Sequence, residues 1–174
     1  MSNPVISFFR ALLPGASPSG RIKKALTPSC SDMKLEESVR RQMAFLFDRF
    51  AASVVSNQYF PHAFGNAILV IDTKYIRLRV VRDRDEVRID LAAIHGPTEW
   101  MDSALALAAI GAEQSNYVFS LNRAITSIAR HMDPKFDALQ EAYAPERYQA
   151  FKERMMEILE LENQKAIERF NSIR

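Results

Sequence analysis

Cysteine is almost absent from this chain of 174 residues: Cys30 stands alone, which excludes an internal disulfide framework and any cysteine-rich zinc site. Glycine is also scarce, at five residues, and neither a Walker loop, a dinucleotide-binding fingerprint nor a G-x-S-x-G elbow occurs. No apolar run approaches the roughly 20 residues that cross a bilayer as a helix. The three histidines, His62, His95 and His131, lack the i, i+4 spacing that places two ligands on one helix face. No cofactor and no metal are therefore expected.

Acidic residues are missing from the first 31 positions. That stretch holds Arg10, Arg21, Lys23 and Lys24, together with six serines and Pro4, Pro14, Pro18 and Pro28. Closely spaced prolines interrupt helices, so residues 1–31 read as a flexible basic leader. Its apolar residues, Val5 to Leu13, are broken by Arg10 and preceded by no basic residue. This argues against a secretory signal and for a cytoplasmic protein, although an acid-free Arg- and Ser-containing leader also matches organelle transit peptides in composition.

What remains is a body with ordinary globular composition, 48% apolar and 25% charged over the whole chain. Residues 32–174 read as one α+β domain, with a helix-sheet-helix part at 32–112 and a helical part at 113–174. The pattern predicts an N-terminal helix, a small antiparallel sheet of three to four strands, then four C-terminal helices including one long final helix. Asp32 is the expected cap of the first helix, whose stripe runs Val39, Met43, Leu46, Phe47, Phe50, Val54. Strands are expected at Ser53 to Phe60, Ala67 to Ile71, Tyr75 to Arg82 and Val87 to Leu91. For the last two, one register pairs Arg82 with Val87, Val80 with Ile89, Leu78 with Leu91 and Arg79 with Asp90, leaving one apolar and one charged face. An exposed Arg79–Asp90 pair would contribute about 0 to 1 kcal/mol.

The expected helices run from Glu99, capped by Thr98, to Ile110 with a stop at Gly111; from Ser115 to His131; across Phe136, Leu139 and Tyr143 after Asp133 and Pro134; and from Pro145 to Asn171. The last carries a stripe of Tyr148, Phe151, Met155, Leu159, Ala166, Phe170 and Ile173. Packing across the body accounts for that stripe, and a homodimer through this helix is the alternative.

Two chemistries bear on the charged residues of the sheet. Metal-dependent nucleases hold Mg²⁺ with carboxylates on neighbouring strands and position water with a lysine. Asp72 and Glu86 fit the carboxylate positions, but Arg88 stands where the lysine belongs and stays protonated. Nucleic-acid binding draws on Lys74, Tyr75, Arg77, Arg79, Arg82, Arg84 and Arg88, yet Asp72, Asp83, Asp85, Glu86 and Asp90 interleave with them. The basic excess of the whole chain resides in the leader, and residues 32–174 carry more acids than bases. That balance favours a protein partner over a phosphate backbone. Tyr75, Arg77, Arg79, Arg88 and Trp100 are the candidate partner-binding residues, because arginine and aromatic side chains anchor interfaces.

The run Phe64-Gly65-Asn66, an apolar strand, Ile76-Arg77-Leu78-Arg79-Val80-Val81-Arg82-Asp83-Arg84, a second strand and Trp100-Met101-Asp102 resembles a group of small uncharacterised bacterial α+β proteins. These share an FGN, LR-strand, D-R turn and W-x-D helix layout. The likeness covers roughly Met33 to Ala112, with Asp85 where a turn glycine is usual and an additional helical C-terminal portion. Some of these proteins are regarded as candidate immunity or accessory factors in bacterial conflict systems. The resemblance thus implies a non-enzymatic protein-interaction module, with nucleic-acid binding or divergent nuclease activity as the alternative.

Overall fold

A computed structural model describes residues 30–63, 65–84, 86–111 and 125–172. The leader lies almost wholly outside the described residues, as does the first part of the helix expected from Ser115. The architecture is α+β, with a five-stranded antiparallel sheet rather than three to four strands, and a long final helix.

The first helical segment is two helices, α1 (Cys30–Gln42) and α2 (Ala44–Phe50). Asp32 sits inside the first turn instead of before it, and Cys30 belongs to α1 rather than to the leader. Leu35, Val39, Met43 and Leu46 still point to one side and are buried, but the backbone leaves helical geometry at Met43 (φ −119°, ψ 38°). Ala51 ends α2 in the left-handed region (φ 49°), where L-residues other than Asn and Asp are rarely found. Val54 therefore belongs to the next strand, not to the helical stripe.

Strands β1 (Ser53–Phe60), β2 (Asn66–Asp72), β3 (Ile76–Asp83), β4 (Glu86–Ala93) and β5 (Met101–Asp102) hydrogen-bond in chain order. The β3–β4 ladder has the register expected from the alternation, with Leu78 opposite Leu91 and Arg79 opposite Asp90. Between β1 and β2 the register shifts at Val54 and Ser56, leaving Val55 as an exposed extra residue. The additional strand arises because Met101 and Asp102 pair with Leu91 and Asp90. This delays the helix expected from Glu99: α3 spans Ser103–Ala109, and its cap is Asp102, which accepts the Ala104 N–H at 2.7 Å, instead of Thr98. Gly111 follows α3 with φ 77°, the left-handed stop expected there.

Helix α4 (Ile125–Met132) leads through a 3₁₀ turn at Asp133–Lys135 into α5 (Phe136–Ala142) and α6 (Pro145–Ser172). Ala67, Leu69, Ile71, Ile76, Leu78, Val80, Ile89 and Leu91 line the inner face of the sheet and are almost completely buried against the helices. Phe136 closes the far side of this core, edge-on to Phe45 and Phe50 with ring centres 5.5 and 4.7 Å away. Arg49 clamps the two parts together by donating to Asp133 at 2.6 Å and Asp137 at 2.8 Å. Asp133 therefore serves a distant arginine rather than a cap. No described helix is long and apolar enough to cross a membrane.

Helix α6 extends about 42 Å at 1.5 Å per residue. Phe151 and Met155 are buried and Tyr148, Ile158 and Leu159 pack on the core. Ala166 and Phe170, which the sequence places on the same packing stripe, are exposed.

Candidate functional site

The strand pleat sends alternate residues to the outer face, away from the helices. The ladder pairs build rows across that face. One row runs Ser56, Val70, Arg79, Asp90 and Asp102; the next runs Gln58, Ile68, Val81 and Arg88; a third joins Asp72, Arg77 and Ala92. Ile68, Val70 and Val81 are half-buried, so the face alternates apolar and guanidinium surface.

At its centre is Asp90, only 5% exposed. Its Oδ2 accepts Arg79 Nε at 3.0 Å and Nη2 at 2.6 Å, and its Oδ1 lies 3.1 Å from Arg88 Nε. The Arg79 guanidinium also stacks 4.4 Å above the Trp100 ring, where the negative π face attracts the cation. Arg79–Asp90 is thus a partly buried, multiply bonded pair, and not the screened exposed pair anticipated from register alone. Buried carboxylates need such compensation, since desolvation without a partner costs several kcal/mol.

Of the five candidate partner-binding residues, Arg79, Arg88 and Trp100 converge on this centre. Arg77 lies two residues along β3, held by Asp72 through two bonds of 2.7 Å; that bonding raises the guanidinium pKa further above its ordinary range. Tyr75 is elsewhere. It occupies the β2–β3 turn, where Lys74 lies over its ring at 4.7 Å, and lines a cleft of about 790 Å³ with Arg49, Phe50 and Gln140. Gln140 is itself buried, accepting the Tyr75 N–H at 3.2 Å and donating to Thr73 Oγ1 at 2.6 Å. Nothing local in the sequence signals that network, because its partners are 67 residues apart.

The residues weighed for a nuclease do not assemble. Asp72 pairs with Arg77 at one end of β3, whereas Glu86 faces Asp83 at the other end. Arg77 and Asp83 are six residue steps apart along β3, about 20 Å at 3.3 Å per residue. The histidines are dispersed as well: His95 Nε2 donates to the Tyr143 carbonyl at 2.8 Å, and His131 Nδ1 to that of Ser127 at 2.8 Å. Among the described residues no three potential ligands converge on a metal position.

Several residues of the FGN, LR-strand, D-R and W-x-D run make defined contacts, while Phe64 lies outside the described residues. Gly65 takes a positive φ of 77° in the β1–β2 turn and its carbonyl accepts Arg82 at 3.2 Å, while the Asn66 side chain accepts the Arg84 N–H at 3.1 Å. The two turns at one end of the sheet are thereby tied together. At the other end of the layout, Trp100 supports Arg79 and Asp102 caps α3. Compared with known proteins, the chain matches no family model, no curated protein and no solved structure.

Proposed function

We propose that this chain is a non-enzymatic, cytoplasmic protein-binding module that recognises its partner through the outer face of the sheet. The observation that carries the reading is Arg79, held in one pose between Asp90 and the Trp100 ring. A guanidinium fixed this way loses little conformational entropy on binding and still offers its remaining donors to a partner carboxylate or carbonyl. Ile68, Val70 and Val81 supply apolar contact beside it. The carboxylates of Asp72 and Asp90 beside Arg77, Arg79 and Arg88 also weaken the attraction of this face for a phosphate backbone. An immunity or accessory role in a bacterial conflict system is the form of this activity that the resemblance implies. Self-association, the other partnership suggested by the sequence, falls to a different surface, the end of α6.

The test uses the tagged full chain to capture proteins from its native host over a salt series, with each captured protein identified by mass spectrometry. Wild type is compared with Trp100→Ala, Arg79→Lys and Arg77→Glu/Arg79→Glu chains that retain the wild-type circular dichroism. One protein retained by the wild type and lost by all three variants is expected. A chain that returns alone at every salt concentration sinks the reading. So does salt-steep binding of labelled DNA or RNA that the double variant abolishes, since that outcome assigns the face to nucleic acid.

A further inference from the structure

Beyond Met155, the last buried residue of α6, the helix runs on past the body with four apolar residues and Asn163 at heptad intervals. Met156, Leu159, Asn163, Ala166 and Phe170 follow one another at intervals of three, four, three and four residues, the a and d positions of a heptad. Met156 is 41% exposed and Phe170 63%. Ile167, beside this stripe, is 61% exposed. Met155 faces the body, and Met156 lies one residue, roughly 100°, further round the helix. Leu159 still packs partly on the body, and from Asn163 onward the stripe turns away from the core that holds the first half of α6.

We infer that this stripe pairs with the same stripe of a second copy, antiparallel, about a two-fold axis between Gln164 and Lys165. In that register Leu159 meets Phe170 of the second copy and Asn163 meets Ala166, and symmetry repeats both layers. Every a position then faces a d position, as antiparallel packing requires. The flanking charges agree with this arrangement: Glu162 comes beside Arg169 of the second copy, twice. The Glu162 Oε1 accepts Lys165 of its own helix at 2.9 Å, and Oε2 is available for a second cation. Arg169 has no ion-pair partner among the described residues. Parallel pairing gives no such charge match, since Glu162 would then flank Ile167.

The overhang from Met156 to Ser172 is about 25 Å long, only some two heptads, so the dimer is reversible, with a dissociation constant of roughly micromolar order or weaker. Sedimentation equilibrium of the full chain from about 1 to 500 μM should show this monomer–dimer exchange. Glu162→Arg and Arg169→Glu should each weaken it about threefold or more, and the double exchange should restore it to within about twofold. A chain that stays monomeric throughout overturns the proposal, as do single variants that leave the equilibrium unchanged. Orientation is read by disulfide trapping in a Cys30→Ser background. Asn163→Cys mixed with Ala166→Cys should give the mixed dimer, whereas Met156→Cys should not cross-link to itself. Efficient Met156→Cys self-trapping overturns the antiparallel register. Met156, Asn163, Ala166 and Arg169 are exposed and Glu162 is half-buried, and unchanged circular dichroism separates lost pairing from lost folding.

Discussion

On the inner face of the sheet Leu78 lies opposite Leu91; one residue further along β3, on the outer face, Arg79 lies opposite Asp90. The two pairs share a ladder and a backbone but depend on different forces. Leucine burial is non-directional and grows with the apolar area removed from water. The arginine–aspartate pair is directional, satisfied only while a planar donor set meets a carboxylate at the observed angles. The inner face therefore supplies stability and accepts apolar replacements of similar volume. The outer face holds a few side chains in fixed positions, and it has little freedom to exchange one type for another.

The largest effect should come from the inner face. Leu78→Ala removes a fully buried side chain and should lower stability by about 2–5 kcal/mol through lost transfer energy and the residual cavity. A urea titration should show a lower midpoint with an unchanged slope. Asp90→Ala comes next, at about 1–3 kcal/mol, because Arg79 and Arg88 lose the carboxylate they share. A cost as large as that of Leu78→Ala would break the comparison, by showing that the outer face also carries the fold. Arg77→Ala should cost only about 0–1 kcal/mol, since this pair with Asp72 is more accessible than the Asp90 centre; thermal melts resolve such a difference.

Tyr143 sharpens the contrast from the smallest side. Its ring is fully buried among Tyr148 and Phe151, and its hydroxyl has no hydrogen-bond partner among the described residues. Burial holds its pKa far above the ordinary tyrosine range. Above about pH 10 the unfolded chain releases this proton and the folded chain does not, so stability falls as pH rises. Tyr143→Phe should leave neutral-pH stability unchanged or raise it by up to about 1 kcal/mol. It should also flatten, without abolishing, the alkaline fall measured by urea titrations from pH 8 to 11, since Tyr148 and Lys152 also have raised values.

How much of this was legible in the sequence depends on the range of each contact. The β3–β4 hairpin was readable in full, because an alternation of period two sets which side Leu78, Val80, Ile89 and Leu91 share and the short turn between Asp83 and Glu86 sets the register. The Arg79–Asp90 pair followed from it. Asp90's burial did not, since it depends on Trp100 and on β5, a two-residue strand that forms where β4 still offers hydrogen bonds. The Ala- and Leu-rich run after Met101 is helical by composition, which hides the strand before it. At Met43 the periodicity crosses a helix break unchanged, because both helices present their apolar residues to the same core. In α6 the apolar stripe was visible, but not where the body ends beneath it.

The strand order of the sheet is the order of the chain. Each strand from β2 onward finds its partner in the strand just before it, so the sheet closes through short loops and little chain entropy is lost at any one step. The long-range ties come from later residues: Gln140 reaches back 67 residues to Thr73, and Asp133 84 residues to Arg49. During synthesis the meander can therefore assemble as it emerges, with α1 already present to cover part of its inner face and the rest left open to solvent until the later helices arrive. That interval, before the helices seal the apolar side, is when this chain is most exposed to misassociation.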